Sequence, residues 1–334
     1  MSPELIAVLA VIFVALAFDY TNGFHDAANA IATSVSTRAL TPGVALLMAA
    51  IGNFIGAHFG ADVAKTVGSG LVELPTGVAS LAIVFAGVVG AITWNLITWW
   101  FGLPSSSTHA LIGGLVGSTI AAAGTVLWKG IVESVVLPMI FSPLVGFALG
   151  YLFMLAILWI FRNGQPGKLN RGFRYAQTVS AAAMSVGHGM QDAAKTIGII
   201  VLALYVGGFQ SNPETIPEWA FWSSATVLAL GTYAGGWRII RTLGRRIIHL
   251  GPPEGFAAET VASSVLYFNA LVLGAPISTT HTITSAIMGV GATKKLSAVR
   301  WGVAGNIVGA WILTFPAAGT IGAVVYFIVR PLFS

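Results

Sequence analysis

Apolar residues run through this chain in long, nearly continuous stretches. They do not show the strict alternation of a half-buried strand or the narrow stripe of a surface helix. The stretches are 3–18 continuing through 22–37, then 43–60, 78–101, 131–161, 172–206, 219–237, 256–274 and 299–329. A helix that crosses the hydrocarbon core needs about 20 such residues. As one straight helix, 3–37 would extend about 50 Å against a core of about 30 Å. It also holds Asp19, Asn22, Gly23, His25 and Asp26 in its middle, so the pattern predicts a broken helix. The stretch 172–206 has the same character, interrupted by Gly187, His188, Gly189, Gln191 and Asp192. Pro138, Pro143 and Pro316 make 131–161 and 299–329 each one kinked span or two short ones. Two further stretches, about 104–124 and 276–292, begin with Pro and a run of Ser/Thr and then turn apolar and Gly-rich. They read as re-entrant helical hairpins, which membranes tolerate where protein or a water-filled cavity surrounds the exposed backbone. The expected fold is an all-α polytopic membrane protein.

Composition agrees. Of 334 residues, 56% are hydrophobic and 8% charged, against about 25% charged in soluble domains. The net charge of +5 sits in short loops between apolar runs. It therefore sets orientation in a lipid bilayer rather than marking a nucleic-acid partner. The basic clusters at 162–174 (Arg162, Lys168, Arg171, Arg174) and 238–246 (Arg238, Arg241, Arg245, Arg246) are expected on the cytoplasmic side. The N-terminal apolar run has no Lys or Arg ahead of it and reads as a retained first membrane helix. Several tryptophans near segment ends, such as Trp99 and Trp219, fit interfacial belts. With no cysteine, disulfides and thiolate metal sites are excluded.

The halves repeat. Gly23-Phe-His-Asp26-Ala-Ala-Asn29-Ala-Ile corresponds to Gly189-Met-Gln-Asp192-Ala-Ala-Lys195-Thr-Ile, and Pro104-Ser-Ser-Ser-Thr-His109 to Pro276-Ile-Ser-Thr-Thr-His281. A weaker third match sets Lys65-Thr66-Val-Gly68 against Arg241-Thr242-Leu-Gly244. The expected division is a first repeat 1–161, a cytoplasmic linker 162–171 and a second repeat 172–334. Paired helix interruptions in two repeats are a transporter signature, with the binding site at the repeat interface. Whether the repeats are inverted depends on the crossing number.

An ionisable side chain inside an apolar span costs at least about 2.5–3.5 kcal/mol and is a functional candidate. Asp26 and Asp192 stand in such places, each with companions on the same helical face: Asn29 and Thr33 in one half, Lys195 and Thr196 in the other. A structural Asp192–Lys195 ion pair is the plain alternative. Ser106, Ser107 and Thr108, with Ser278, Thr279 and Thr280, are either simple helix caps or a ring of donors for a tetrahedral anion at two helix N-termini. His25, His109, His188 and His281 are packing residues or proton-relay groups. Glu259, near the start of a span, lies at the interface or in the cavity.

These motifs resemble the PiT family of inorganic phosphate transporters. The resemblance rests on Asn22 through Thr33, His188 through Gly198 and the two Pro…Thr-His hairpins, and covers roughly residues 19–300. It implies two inverted repeats, two re-entrant hairpins, a homodimer, and phosphate bound with a coupling cation between the repeated motifs. On that reading Asn29, Ser106, Ser107, Thr108, Lys195, Ser278, Thr279 and Thr280 bind substrate. Asp26, Asp192, His25, Gln191, His109 and His281 serve cation or proton coupling. No cofactor and no resident metal is expected. The chain departs from the family pattern where His25 and Gln191 replace one Asn and Lys195 replaces another. Lys195 offers no oxygen to sodium, which resembles the proton-coupled bacterial branch, whose cargo is phosphate or a metal–phosphate complex. The expectation is a proton-coupled phosphate importer of the inner membrane. Sulfate transport or sodium coupling on the same fold are the near alternatives. A passive channel and an intramembrane aspartyl protease built on the two aspartates are the distant ones.

Overall fold

The computed structural model describes residues 2–333. Helix α1 (Pro3–Ser36) is followed by α2 (Pro42–Gly56), a 3-10 turn, and, across Gly60, the short α3 (Ala61–Ser69). Next come α4 (Val78–Phe101), α5 (Ser107–Ala121), and α6 (Trp128–Ile131), which continues through one π turn into α7 (Leu137–Ile160). The second half has α8 (Pro166–Val206), α9 (Glu218–Ala234), α10 (Trp237–Arg241) with a π turn, and α11 (Pro252–Phe268) with another. It ends with α12 (Thr279–Ala292) and α13 (Trp301–Val329). A two-residue antiparallel pair, β1 (Val72–Glu73) on β2 (Thr125–Val126), joins two loops.

Both halves thus run long helix, broken helix, hairpin, long helix. Their packing is exchanged: α1 lies on α9 while α2 lies on α8, and α5 packs on α13 while α12 packs on α7. Each short hairpin helix is covered by the terminal helix of the opposite half.

Among the described residues, seven helices are long and apolar enough to cross a membrane. Large apolar side chains such as Phe13, Leu144, Trp159 and Ile312 face outward. Asp26, Asp192, Glu259 and Lys195 are buried. That inside-out distribution is the one lipid requires. Along α1, one apolar core ends at Phe18 and a second begins at Ala28; Asp19, Asn22, His25 and Asp26 occupy the buried layer between.

The predicted breaks in 3–37 and 172–206 are not there: α1 and α8 run uninterrupted for 34 and 41 residues. Their glycines serve close approach instead. A Cβ on Gly23 would lie 2.6 Å from the Leu228 carbonyl oxygen, and one on Gly189 2.4 Å from that of Asn53. The polar side chains leave the helices intact because each finds partners on a neighbouring helix. The surplus length of α8 projects beyond the core as exposed first turns. The real breaks fall at Gly60, at Gly235–Gly236 and at the hairpin tips. The Pro-bearing stretches are single spans, with Pro143 inside α7 and Pro316 inside α13. The linker is shorter than the expected 162–171, because α8 begins at Pro166, a residue preset for a first helical turn. Lys168 and Arg171 belong to the exposed face of that helix.

Candidate substrate site

The hairpin tips are built alike. Gly102 (φ +65°) ends α4 and Gly274 (φ +58°) ends the π turn after α11, both in the left-handed conformation that glycine adopts without strain. Pro104 and Pro276 favour extended backbone before them. Ser106 and Ser278 then cap the hairpin helices, their Oγ atoms accepting the N–H of His109 at 3.2 Å and of His281 at 3.1 Å. The capping and donor readings therefore hold together, since each hydroxyl hydrogen is still free to donate.

The third sequence match becomes structural here. Thr242 Oγ1 donates to the Gly102 carbonyl at 2.8 Å, and Thr66 Oγ1 donates to the Gly274 carbonyl at 2.8 Å. Each half clips the hairpin tip of the other.

The long helices also reach across. Asn29 Nδ2 donates to Thr279 Oγ1 at 3.1 Å and Thr280 Oγ1 at 2.9 Å. At the equivalent position, Lys195 Nζ donates to Ser107 Oγ at 2.7 Å. Within each half, His25 Nε2 lies 3.0 Å from Thr98 Oγ1 and 3.3 Å from Ser105 Oγ. Gln191 accepts the Ile277 N–H at 3.2 Å and donates to the Ala275 carbonyl at 3.3 Å. His25 and Gln191 occupy the same repeat position and hold their own hairpin loops.

Asp26 accepts from Ser107 Oγ at 2.7 Å and meets His25 Nδ1 at 2.6 Å. Asp192 accepts from Lys195 Nζ at 3.0 Å and Asn22 Nδ2 at 3.2 Å, with His188 Nε2 at 3.1 Å. One ligand atom each from Asp26, His188 and Asp192 lies within 4.8 Å of the others. Lys195 places its ammonium beside this cluster. It bridges Asp192 to the opposite hairpin and is more than an intrahelical ion pair.

The tips meet. Thr108 Oγ1 donates to the Ile277 carbonyl at 3.3 Å, and the His109 and His281 rings lie 4.9 Å apart, with His281 stacked on Trp311 at 4.0 Å. Two helix N-termini therefore point into one buried polar layer. Their free N–H groups and positive dipole ends suit an oxyanion. His109 Nδ1, both His281 ring nitrogens and Asn29 Oδ1 lack partners. Asp26, Asp192, Lys195, Ser107 and Thr279 are each at most 2% exposed, so the site is closed to both faces.

The sequence reading gave Asn22 no role of its own, left His188 as a packing or proton-relay group, and left Glu259 at the interface or in the cavity. Asn22 and His188 stand four residues before Asp26 and Asp192, the i, i+4 spacing that could have placed both in the site. Glu259 forms a second buried cluster, receiving hydrogen bonds from Thr33, from Gln177 Nε2 at 3.2 Å and from Ser180 Oγ at 2.6 Å. It is therefore in the interior and not at the interface.

Compared with known proteins, residues 22–170 and 162–322 both match the model of the phosphate transporter family. A probable low-affinity inorganic phosphate transporter of Rhizobium meliloti (strain 1021) is 48% identical over 97% of this chain and 96% of its own. One of Bacillus subtilis (strain 168) is 42% identical over 98% and 99%. Among solved structures, one described as the sodium-dependent phosphate transporter superposes with a TM-score of 0.84 at 25% identity, covering 98% of this chain and 100% of that one.

Proposed function

The chain belongs to the phosphate transporter family, and from that premise we propose that it imports inorganic phosphate across the inner membrane, coupled to protons. One observation carries this reading: two capped hairpin N-termini converge on Asp26, Asp192 and Lys195, and each is held by a residue from the other half. The hydroxyls of Thr279 and Thr280, which accept from Asn29 and keep their hydrogens, and the free N–H groups of both helices supply donors for a tetrahedral anion, while Ser107, donating to Asp26, fixes the opposite tip. The neighbouring carboxylates favour phosphate over sulfate, because a protonated phosphate oxygen donates to a carboxylate and sulfate has no hydrogen to give. The relatives are named as phosphate transporters.

Charge supports proton coupling. Two carboxylates and an anion need more positive charge than Lys195 and two half-unit helix dipoles provide. His25 touches Asp26 and His188 touches Asp192, and a proton bound together with the anion completes the balance. A sodium ion at the carboxylate cluster would face the Lys195 ammonium. The two halves each have three net crossings if the broken helix spans once and the hairpin returns, which relates them by inversion. Alternating exposure then follows from movement of the hairpins, with their covering helices, against α1 and α8.

A protease dyad is a poor fit. Asp26 and Asp192 are engaged by five other side chains, and the family is one of transporters. The test is uptake by purified protein in liposomes with pH and sodium varied independently. Phosphate should accumulate without sodium, collapse with a protonophore and resist sulfate competition. Strict sodium dependence overturns the coupling; equal sulfate uptake overturns the substrate.

A further inference from the structure

Asp19 lies on α1 two turns before Asp26 and has no counterpart in the second half, where Ser185 occupies its place. It is fully buried. Its Oδ2 accepts from Ser224 Oγ of α9 at 2.5 Å, while Oδ1 has no partner. Thr196 of α8 faces the same carboxyl, its hydroxyl free of any other partner. The charged groups facing Asp19 are Lys195 and Asp192, both on α8; α1 adds Asn22 and α9 adds Ser224. The Lys195 ammonium is directed to Asp192 and Ser107, so Asp19 has no counter-ion in contact.

We propose that Asp19 and Ser224 form a proton-binding site that couples proton uptake to anion binding, a role that rests on the transport reading above. The geometry of Ser224 gives the reason. Its hydroxyl lies within reach of two acceptors, Asp19 Oδ2 and the Ala193 carbonyl at 3.2 Å, but it has one hydrogen. With Asp19 ionised, that hydrogen goes to the carboxylate and the Ala193 carbonyl loses it. With Asp19 protonated, Asp19 donates to Ser224 and Ser224 donates to Ala193, so both acceptors are served. One proton arrives from solvent and one hydroxyl turns. An unpaired carboxylate at membrane depth is costly, which favours occupancy of the site. Neutralising Asp19 also leaves the Lys195 charge to Asp192, Ser107 and the anion. Proton and anion therefore strengthen each other's binding, and the linkage is reciprocal.

The test uses the full chain in liposomes and two readouts: accumulation driven by a pH gradient, and phosphate–phosphate exchange without a gradient. Asp19→Asn should lower driven accumulation about tenfold, the scale of an ordinary coupling free energy. It should retain exchange, which becomes insensitive to pH. Asp19→Glu should recover accumulation, and Ser224→Ala should move the midpoint of the pH profile. Wild-type accumulation and pH profile in Asp19→Asn overturn the proposal. Loss of exchange as well as accumulation in Asp19→Asn, with Ser224→Ala unshifted, overturns it in favour of a structural role. A wild type driven by sodium alone overturns this site and proton coupling together, whereas a proton-driven wild type with an unaffected Asp19→Asn overturns this site alone.

Discussion

At the residue scale, the decisive side chain is Lys195. It replaces the amide that its own repeat partner, Asn29, retains, and it places an ammonium where that amide offers an oxygen. Lys195→Asn should restore an oxygen and remove the charge, turning sodium-independent uptake into sodium-stimulated uptake; flux assays at fixed pH with and without sodium check it. Lys195→Met leaves Asp192 without its ammonium. Breaking a buried pair in this way costs about 3–5 kcal/mol, so phosphate affinity and thermal stability should both fall. The duplicated residues were legible in the sequence because each appears twice in the same order. Glu259 and Asp19 stand alone, and Thr33, the threonine of α1 that meets Glu259, is 226 residues away in the chain. No local pattern pairs them, and only the packed helices do.

At the element scale, the sequence showed where the Ser/Thr tips lie, but the stretches read as whole hairpins, 104–124 and 276–292, each hold one helix (α5, α12) that pairs with the helix before it, and the breaks were misplaced. A glycine among polar residues signals either a chain break or a close approach, and local sequence does not separate the two. In α1 and α8 the approach is the reason. Gly189→Ala would put a Cβ 2.4 Å from the Asn53 carbonyl oxygen, so α2 and α8 must move apart; it should cost about 1–3 kcal/mol, the usual range for overpacking. A lowered unfolding temperature in detergent measures it, and an unchanged one contradicts the close packing. The paired clips on Gly102 and Gly274 belong to this scale too. Thr66→Val and Thr242→Val should each weaken phosphate affinity, since the tips lose a hydrogen bond worth about 1 kcal/mol. Thr→Ser at either position should restore it. Equal affinity in all four variants would show that the clips do not position the tips.

For the whole molecule, the consequence is interdependence of the halves. Because α5 packs on α13 as well as on α4, and α12 on α7 as well as on α11, neither half completes the cover of its own hairpin. A chain cut within 161–165 and expressed as two pieces should transport when both are present and fail with either alone; activity from a single half would contradict the exchanged packing. The repeat made two halves and a shared interface legible from sequence. The exchange of partners was not, because periodicity reports which faces are apolar and not which helix covers them. The central claim is that both hairpin tips enclose one phosphate. Equilibrium phosphate binding to the purified protein tests it most directly, comparing wild type with Ser107→Ala in one tip and Thr279→Val/Thr280→Val in the other. One phosphate per chain, with affinity reduced by changes in either tip, is the predicted result. Affinity unchanged by altering one tip, or two independent phosphates per chain, would contradict it.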